Sequence, residues 1–328
     1  MGAALDEFGL IARHLAPLAG PGGLGLLDDA ALLSPVPGRD LVLTKDMIVA
    51  GVHFLPDDPP DAIAAKLLRV NLSDLAAKGA RPLGYLLGLA LPATADEAWV
   101  AAFAAGLARD QREFEIVLLG GDTTAAAGPL VLSLTALGEV PSGAMLRRGG
   151  ARAGDLVVVS GTIGDGMLGL EVAMGRLPGL APAAAAELLG RYRLPRPRLS
   201  LGRRVADFAH AAADISDGLI ADLGHVAFAS GLAACVDPAA VPLSAAAREA
   251  LALRPELAGR VPVGGDDYEL VLAVPPDARA RLAADGDAPL TVIGVFTEGT
   301  PGEVRDPEGR PFAAGKGGYR HFAPPPSA

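Results

Sequence analysis

Extended apolar runs alternate with helical patterns along this chain, and that alternation constrains its fold more than any other feature. Residues 42–54 read as extended, with Leu43, Ile48, Val49 and Val52 supplying apolar and β-branched side chains. A helix is predicted over 60–78, with prolines at its start, Ile63, Leu67, Leu68, Leu72 and Leu75 at helical spacing, and Gly79 as its stop. Strand 82–91, helix 96–112, buried strand 116–119 and strand 130–137 complete a β-α-β-α-β-β first half. A Gly- and Arg-rich stretch with little periodicity, 141–154, separates it from a second half. That half opens with strand 156–160 and continues through helix 217–230, strand 268–274, helix 277–284 and strand 290–296. Such alternation packs helices on sheets, so the predicted fold class is α/β or α+β. At 328 residues the chain has room for two domains, placed at 1–140 and 150–322, with a Pro-rich tail at 323–328 expected to be disordered.

Six separated stretches set aspartate beside glycine, serine or threonine: Asp28-Asp29, Thr44-Lys45-Asp46, Asn71-Leu72-Ser73-Asp74, Gly120-Gly121-Asp122-Thr123-Thr124, Asp214-Ile215-Ser216-Asp217-Gly218 and Gly264-Gly265-Asp266-Asp267. The 25 aspartates outnumber 13 glutamates, an excess on the shorter carboxylate that suits turns and metal sites. Mg²⁺ takes oxygen ligands, keeps several waters, and is usually held by a few carboxylates together with the substrate's own phosphates. Scattered aspartates meet that need, although each stretch alone also fits an ordinary turn or helix cap. In the predicted helix Asn71, Asp74 and Lys78 share one face.

A net charge of −10 argues against nucleic-acid binding, which relies on clustered Lys and Arg. The one basic cluster, 191–204, is read as a solvated helix start with ordinary surface charges. Cys235 is the only cysteine, so an internal disulfide and a cysteine-ligated zinc are excluded. No apolar run reaches the roughly 18 residues that cross a bilayer, and residues 1–13 lack the pattern of a signal peptide. The expected compartment is the cytoplasm.

Familiar signatures fail on inspection. Gly315-Lys316-Gly317 lacks the hydroxyl residue of a Walker A loop. Gly164-Asp165-Gly166-Met167-Leu168-Gly169 matches Gly-x-Gly-x-x-Gly after a strand, but the chain about 20 residues on is helical where a dinucleotide fold needs a strand ending in an acid. That loop still has the form to present N–H groups to a phosphate at a helix start. There is no Gly-x-Ser-x-Gly and no His-Glu-x-x-His. His14, His210 and His225 fall in helical patterns and are read as surface or packing residues, whereas His53, at a strand end shortly after Asp46 and Gly51, is a candidate substrate contact.

Asp28-Asp29-Ala30-Ala31, the run 44–54 ending Val52-His53-Phe54, Val70-Asn71-Leu72-Ser73-Asp74-Leu75-Ala76-Ala77, Gly120-Gly121-Asp122-Thr123-Thr124, 214–219 and Asp267-Tyr268-Glu269-Leu270 occur in a characteristic order and spacing. In this the chain resembles the thiamine-monophosphate kinases of the aminoimidazole-ribonucleotide-synthetase superfamily, over about residues 7–322. The resemblance implies a two-domain fold, an N-terminal α/β domain pairing into a dimer barrel and a C-terminal α/β sandwich. It implies ATP-dependent conversion of thiamine monophosphate to thiamine diphosphate by a homodimer, with several Mg²⁺ ions and ATP as co-substrate.

By the same resemblance, Asp29, Thr44, Asp46, Asp74, Asp122, Asp214 and Asp217 would hold Mg²⁺. Gly121, Asp122, Arg148 and Ser216 would contact ATP, and His53, Asp266 and Tyr319 the thiamine monophosphate. Leu27, Lys45 and Asp266 depart from the family pattern, which commonly has Gly, a hydroxyl residue and Glu there. No covalent nucleophile or catalytic base is expected, since a phosphate acceptor is already ionised near neutral pH and needs positioning and bridging cations instead. Two alternatives remain at this stage: another ATP-using synthetase of the superfamily, and a non-catalytic regulator binding ATP or thiamine phosphate.

Overall fold

The computed structural model describes residues 7–283 and 288–312. The chain divides into two compact units, Met1–Met145 and Leu146–Ala328, within the Gly- and Arg-rich stretch. Among the described residues no helix is long and apolar enough to cross a membrane.

In the first unit a single turn, α1 (Glu7–Leu10), and further short helical turns lead to β1 (Arg39–Val49), α2 (Pro60–Ala77), β2 (Arg81–Pro92), α3 (Glu97–Phe114), β3 (Val117–Ala126) and β4 (Val131–Pro141). The four strands lie in the order β1-β4-β2-β3. β4 runs antiparallel to both β1 and β2, whereas β2 and β3, joined through α3, are parallel. The helix α2 is buried nearly all round, including Lys66, Arg69, Asn71 and Ser73, because it packs on the sheet and also against α3. Close approach of the two helices depends on Gly106, where a Cβ would stand 2.4 Å from the Asp61 carbonyl oxygen. Arg69 then reaches across to α3, its Nε 2.6 Å from Asp110 Oδ2 and its Nη2 3.0 Å from Asp110 Oδ1, with Glu113 at 3.0 Å. On the sheet's other face Leu41, Leu43, Met47 and Leu86 are exposed.

In the second unit β5 (Leu156–Ser160), β6 (Ala211–Ile215), β7 (Ala233–Val236), β8 (Glu269–Val274), β9 (Leu290–Thr297) and β10 (Val304–Arg305) form one sheet in the order β10-β7-β9-β5-β8-β6. Helices α4 (Asp165–Ala173), α5 (Pro182–Arg193), α6 (Leu199–Val205), α7 (Leu219–Ala229) and α8 (Ala245–Leu253) accompany it. One apolar core, including Val157, Val159, Leu168, Leu188, Leu223, Val271 and Phe296, unites sheet and helices.

Several boundaries differ from the sequence expectation for identifiable reasons. β1 ends at Val49, not 54, because Gly51 takes a positive φ of 79° and turns the chain. β3 runs on through Gly120-Gly121-Asp122 to Ala126, since β2 offers a partner for that whole length. The helix expected from 217 starts at Leu219, after Gly218 at φ 118°. Pro276–Ala283 is 3₁₀ and not a regular helix. His210 is not helical: it precedes β6, its N–H donates to the Ala273 carbonyl, and its ring Nδ1 lies 2.8 Å from Asp155. The largest departure is the basic cluster. Arg191 and Arg198 are buried, because the fully buried Glu269 carboxylate requires cationic partners. The expected disordered tail, 323–328, lies outside the described residues.

The Arg69–Asp110 pair yields a stability prediction. Asp110 is fully buried, so removing its carboxylate leaves the buried Arg69 guanidinium with the exposed carboxylate of Glu113. Asp110→Ala should destabilise the protein by about 3–5 kcal/mol, read as a lower urea midpoint at unchanged slope.

Candidate functional site

In the first unit the acidic constellation forms where β1 crosses α2. Asn71 and Asp74, close to one helical turn apart, face the strand, because residues three apart on a helix share a side. Asn71 is fully buried and bridges the two elements: its Nδ2 donates to the Leu67 carbonyl at 2.9 Å and its Oδ1 accepts the Asp46 N–H at 3.1 Å. The Thr44 hydroxyl donates to Asp74 Oδ2. Burial, and then the charge of Asp74, push the Asp46 carboxyl up to about 7, against the opposing pull of Lys45. Ser73, beside Asp74, has a fully buried hydroxyl with no hydrogen-bond partner among the described residues.

The other first-unit candidates are placed differently. Asp122 pairs with Gly88 on β2, which pairs with Ser133 on β4, which pairs with Met47 on β1. That row is one residue out of step with Asp46, so Asp122 lies on the opposite sheet face from Asp46. Lys45 shares the face of Asp122, and its ammonium donates to the Ser133 hydroxyl. Gly121 precedes Asp122 because β3 runs hard against β2: a Cβ there would stand 1.9 Å from the Leu87 carbonyl oxygen. Asp28 and Asp29 sit on an exposed loop, where the Asp29 N–H donates to Asp28 Oδ1 at 2.8 Å, next to a 92% exposed Leu27. His53 lies in the turn after β1; its Nδ1 accepts the Val49 N–H at 3.1 Å, so the neutral ring carries its proton on Nε2.

In the second unit Asp214 is buried one residue before the end of β6, and Ser216 and Asp217 follow in the loop before α7. Both loop N–H groups, those of Ser216 and Asp217, donate to one oxygen of Asp222 at 3.0 Å. Asp222 is buried on the first turn of α7, and its carboxyl is pushed up to about 7 by burial and by Asp217, with Arg148 opposing. Arg148 is exposed, on a segment tied to β6 by the bond from Ala212 N–H to the Arg147 carbonyl. Asp266 has a φ of 72°, and its N–H donates to the Ser216 carbonyl at 2.9 Å.

The Gly-rich turn before α4 is committed internally. The N–H groups of Gly164 and Gly166 donate to the two oxygens of buried Asp267 at 2.8 and 3.0 Å, so those two groups are not available to a phosphate as the sequence pattern suggested. Asp222 and Asp267 were both missed as contributors to the site. Their signal was slight: an acid in the first turn after a Ser-Asp-Gly loop, and the second acid of a pair. Tyr319 lies outside the described residues.

The donor set is one of hard oxygens. Thr44, Asp46 and Asp74 bring a hydroxyl and two like-charged carboxylates into a partly desolvated corner, a combination that a small divalent cation relieves. Among the described residues no three acidic, histidine or cysteine side chains stand close enough to enclose a metal ion. Hard oxygen donors of this kind are those that Mg²⁺ takes, together with water and phosphate oxygens.

Residues 27–140 match the family model of the AIR synthase related protein N-terminal domain, and residues 152–307 match that of its C-terminal domain. A thiamine-monophosphate kinase of Caulobacter vibrioides is 50% identical over 302 residues, covering 89% of this chain and 84% of that protein. The crystal structure of a thiamine-monophosphate kinase from Stenotrophomonas maltophilia K279a is 44% identical, covers 93% of this chain and 98% of its own, and superposes with a TM-score of 0.82. A further solved structure, AaThiL complexed with AMPPCP and TMP, is 29% identical, covers 98% of this chain and all of its own, and has a TM-score of 0.79.

The Asp46 shift carries a pH dependence. Its folded value lies above the ordinary carboxylate value, so its contribution to stability is fully present below about pH 4 and is lost as pH rises through about 7. Metal-free protein should thus lose melting temperature between about pH 4 and 7, and Asp46→Asn should make that decline shallower, with Asp222 contributing in the same direction. Adding Mg²⁺ at pH 8 should raise the melting temperature of the unmodified chain more than that of the variant, measured by calorimetry with and without chelator.

Proposed function

This chain belongs to the AIR synthase related family and, within it, to the thiamine-monophosphate kinases, and from that premise we propose how its own side chains carry out the reaction. The enzyme phosphorylates thiamine monophosphate to thiamine diphosphate at the expense of ATP. The observation that carries the assignment of roles is the convergence of Thr44, Asp46 and Asp74 at one corner of the first unit.

A phosphate monoester has a second pKa near 6, so the acceptor oxygen is already a nucleophile at neutral pH and no side chain need remove a proton. The obstacle is repulsion between the acceptor and the γ-phosphate of ATP. Asp46 and Asp74 would hold Mg²⁺, whose charge would screen that repulsion. The chain's task is positioning. Asp29, Thr44, Asp46, Asp74, Asp122, Asp214 and Asp217 serve in this reading as metal-holding residues for several ions, not one shell, since Asp122 lies on the sheet face opposite Asp46; Gly121, Asp122, Arg148 and Ser216 contact ATP; His53, Asp266 and Tyr319 contact thiamine monophosphate. The transfer is direct and in line, with no phosphoenzyme.

Its working form in this reading is a cytoplasmic homodimer. Among the described residues α2 covers one face of the first-unit sheet, while Leu43 at 62% and Met47 at 52% exposure, with Leu41 and Leu86, give the other face an exposed apolar patch beside Lys45 and Asp122. A second copy of the same face supplies the missing cover.

Three outcomes test this reading. Incubation with ATP, Mg²⁺ and thiamine monophosphate should yield thiamine diphosphate by mass, with no label from γ-labelled ATP on the protein; labelled protein would rule out direct transfer. Asp74→Asn should lower kcat by at least about tenfold, or roughly 1.4 kcal/mol, while the fold survives. Leu43→Arg should shift the sedimentation coefficient from dimer to monomer; an unchanged dimer would place the interface elsewhere.

A further inference from the structure

Residues 264–268 contain two non-glycine residues in the left-handed region, Asp266 at φ 72° and Tyr268 at φ 52°, either side of Asp267. Non-glycine residues persist there only where surrounding structure over-determines the backbone. Here it does so from three directions. The side chain of Asp267 takes the N–H groups of Gly164 and Gly166. The Asp266 and Tyr268 N–H groups donate to the carbonyls of Ser216 and Ile215 at 2.9 and 2.8 Å. Glu269, immediately behind, is held by Arg191 Nη2 at 2.7 Å, Arg198 Nε at 2.7 Å and the Ser160 hydroxyl at 2.5 Å, and Arg191 also donates to the Asp267 carbonyl at 3.2 Å.

Neighbouring glycines close the space around this turn. A Cβ on Gly166 would stand 2.2 Å from the Asp266 carbonyl oxygen, and one on Gly265 would stand 2.4 Å from that of Ser216. The loop 216–217 and the turn 264–268 are thus in backbone contact, yet each is fixed by its own buried aspartate. Asp222 gathers the two N–H groups of the first. Asp267 anchors the second to the start of α4. Neither carboxylate has another assigned task, and each is at least 98% buried.

We propose that Asp222 and Asp267 are positioning residues with divided labour: Asp222 sets Ser216 and Asp217 for the nucleotide, and Asp267 holds the strained turn that aims Asp266 at thiamine monophosphate. The inference rests on the reading above that places Ser216 and Asp217 with ATP and its metal, and Asp266 with the acceptor. A buried staple without this role would change stability and leave the two Michaelis constants in proportion. Divided positioning separates them.

The test is steady-state kinetics on the full-length enzyme at saturating Mg²⁺, with melting temperatures in parallel. Asp267→Asn puts an amide donor against a backbone N–H donor, and should raise KM for thiamine monophosphate by roughly tenfold or more with KM for ATP changed less than about threefold. Asp222→Asn should give the reverse split. If an Asn variant does not fold, Asp222→Glu and Asp267→Glu, which keep the acceptor but displace it by one methylene, must show the same split. Equal effects on both substrates, or lower melting temperatures with both constants unchanged, overturn the proposal. Asp266→Ala and Ser216→Ala test the underlying reading separately. If Asp266→Ala leaves KM for thiamine monophosphate unchanged, or Ser216→Ala leaves KM for ATP unchanged, that reading fails. If both direct variants behave as expected and the Asp222 and Asp267 variants show no split, positioning alone fails.

Discussion

A carboxylate with no solvent exposure must have its oxygens met by cations and donors, and in the second unit Glu269 imposes that requirement on everything near it. Ser160 comes from the end of β5, Arg191 from the end of α5, and Arg198 from the segment leading into α6; all three converge on one side chain at the start of β8. Such a network does not gain much net stability over an apolar core of the same shape, because desolvating its charges offsets their attraction. It gains definition instead: removing any partner leaves a buried charge uncompensated, so competing arrangements of these four segments are strongly disfavoured. The Gly161 backbone takes part, since at φ 57° a Cβ would stand 2.2 Å from a Glu269 carboxylate oxygen.

The first unit sets the opposite problem. There the like charges of Asp46 and Asp74 are brought together and partly stripped of water, with a threonine hydroxyl and an asparagine amide as their fixed neighbours. Glu269 is thus neutralised by arginine, whereas Asp46 and Asp74 are left as paired acids, a state that a divalent ion would complete in the reading proposed above. The distinction is chemical. Arginine cannot be exchanged during turnover, whereas a cation arriving with a polyphosphate can.

Much of the secondary structure was legible because helix signals were local: α2 begins at its prolines and ends before Gly79, as its residues dictate. That Asn71 and Asp74 share a helix face was likewise implied by their spacing, but not that this face meets β1. What escaped was set by partners distant in sequence. Gly120-Gly121-Asp122 has the composition of a turn, yet becomes strand because β2 pairs with it. Arg191 and Arg198 look like surface residues until Glu269, more than 70 positions away, makes them core. The Gly-x-Gly-x-x-Gly turn has a phosphate-binding form, and only the position of Asp267 reveals where two of its N–H groups go. The register that puts Asp122 and Asp46 on different faces follows from pairings no local pattern encodes.

The strand order β1-β4-β2-β3 also sets a timetable for synthesis. β1 is complete at Val49, but the strand it pairs with among the described residues, β4, does not begin until Val131. At roughly 5–20 residues per second, the ribosome leaves β1 unpaired for several seconds, with Leu41, Leu43 and Met47 on a strand that has no partner. Within that interval α2, β2, α3 and β3 are all made, and the parallel β2–β3 pair can form around its α3 crossover. β4 then enters between β1 and β2, so the earliest strand of the sheet is among the last to be secured, and the nascent chain is most open to pairing with a neighbouring copy while it waits.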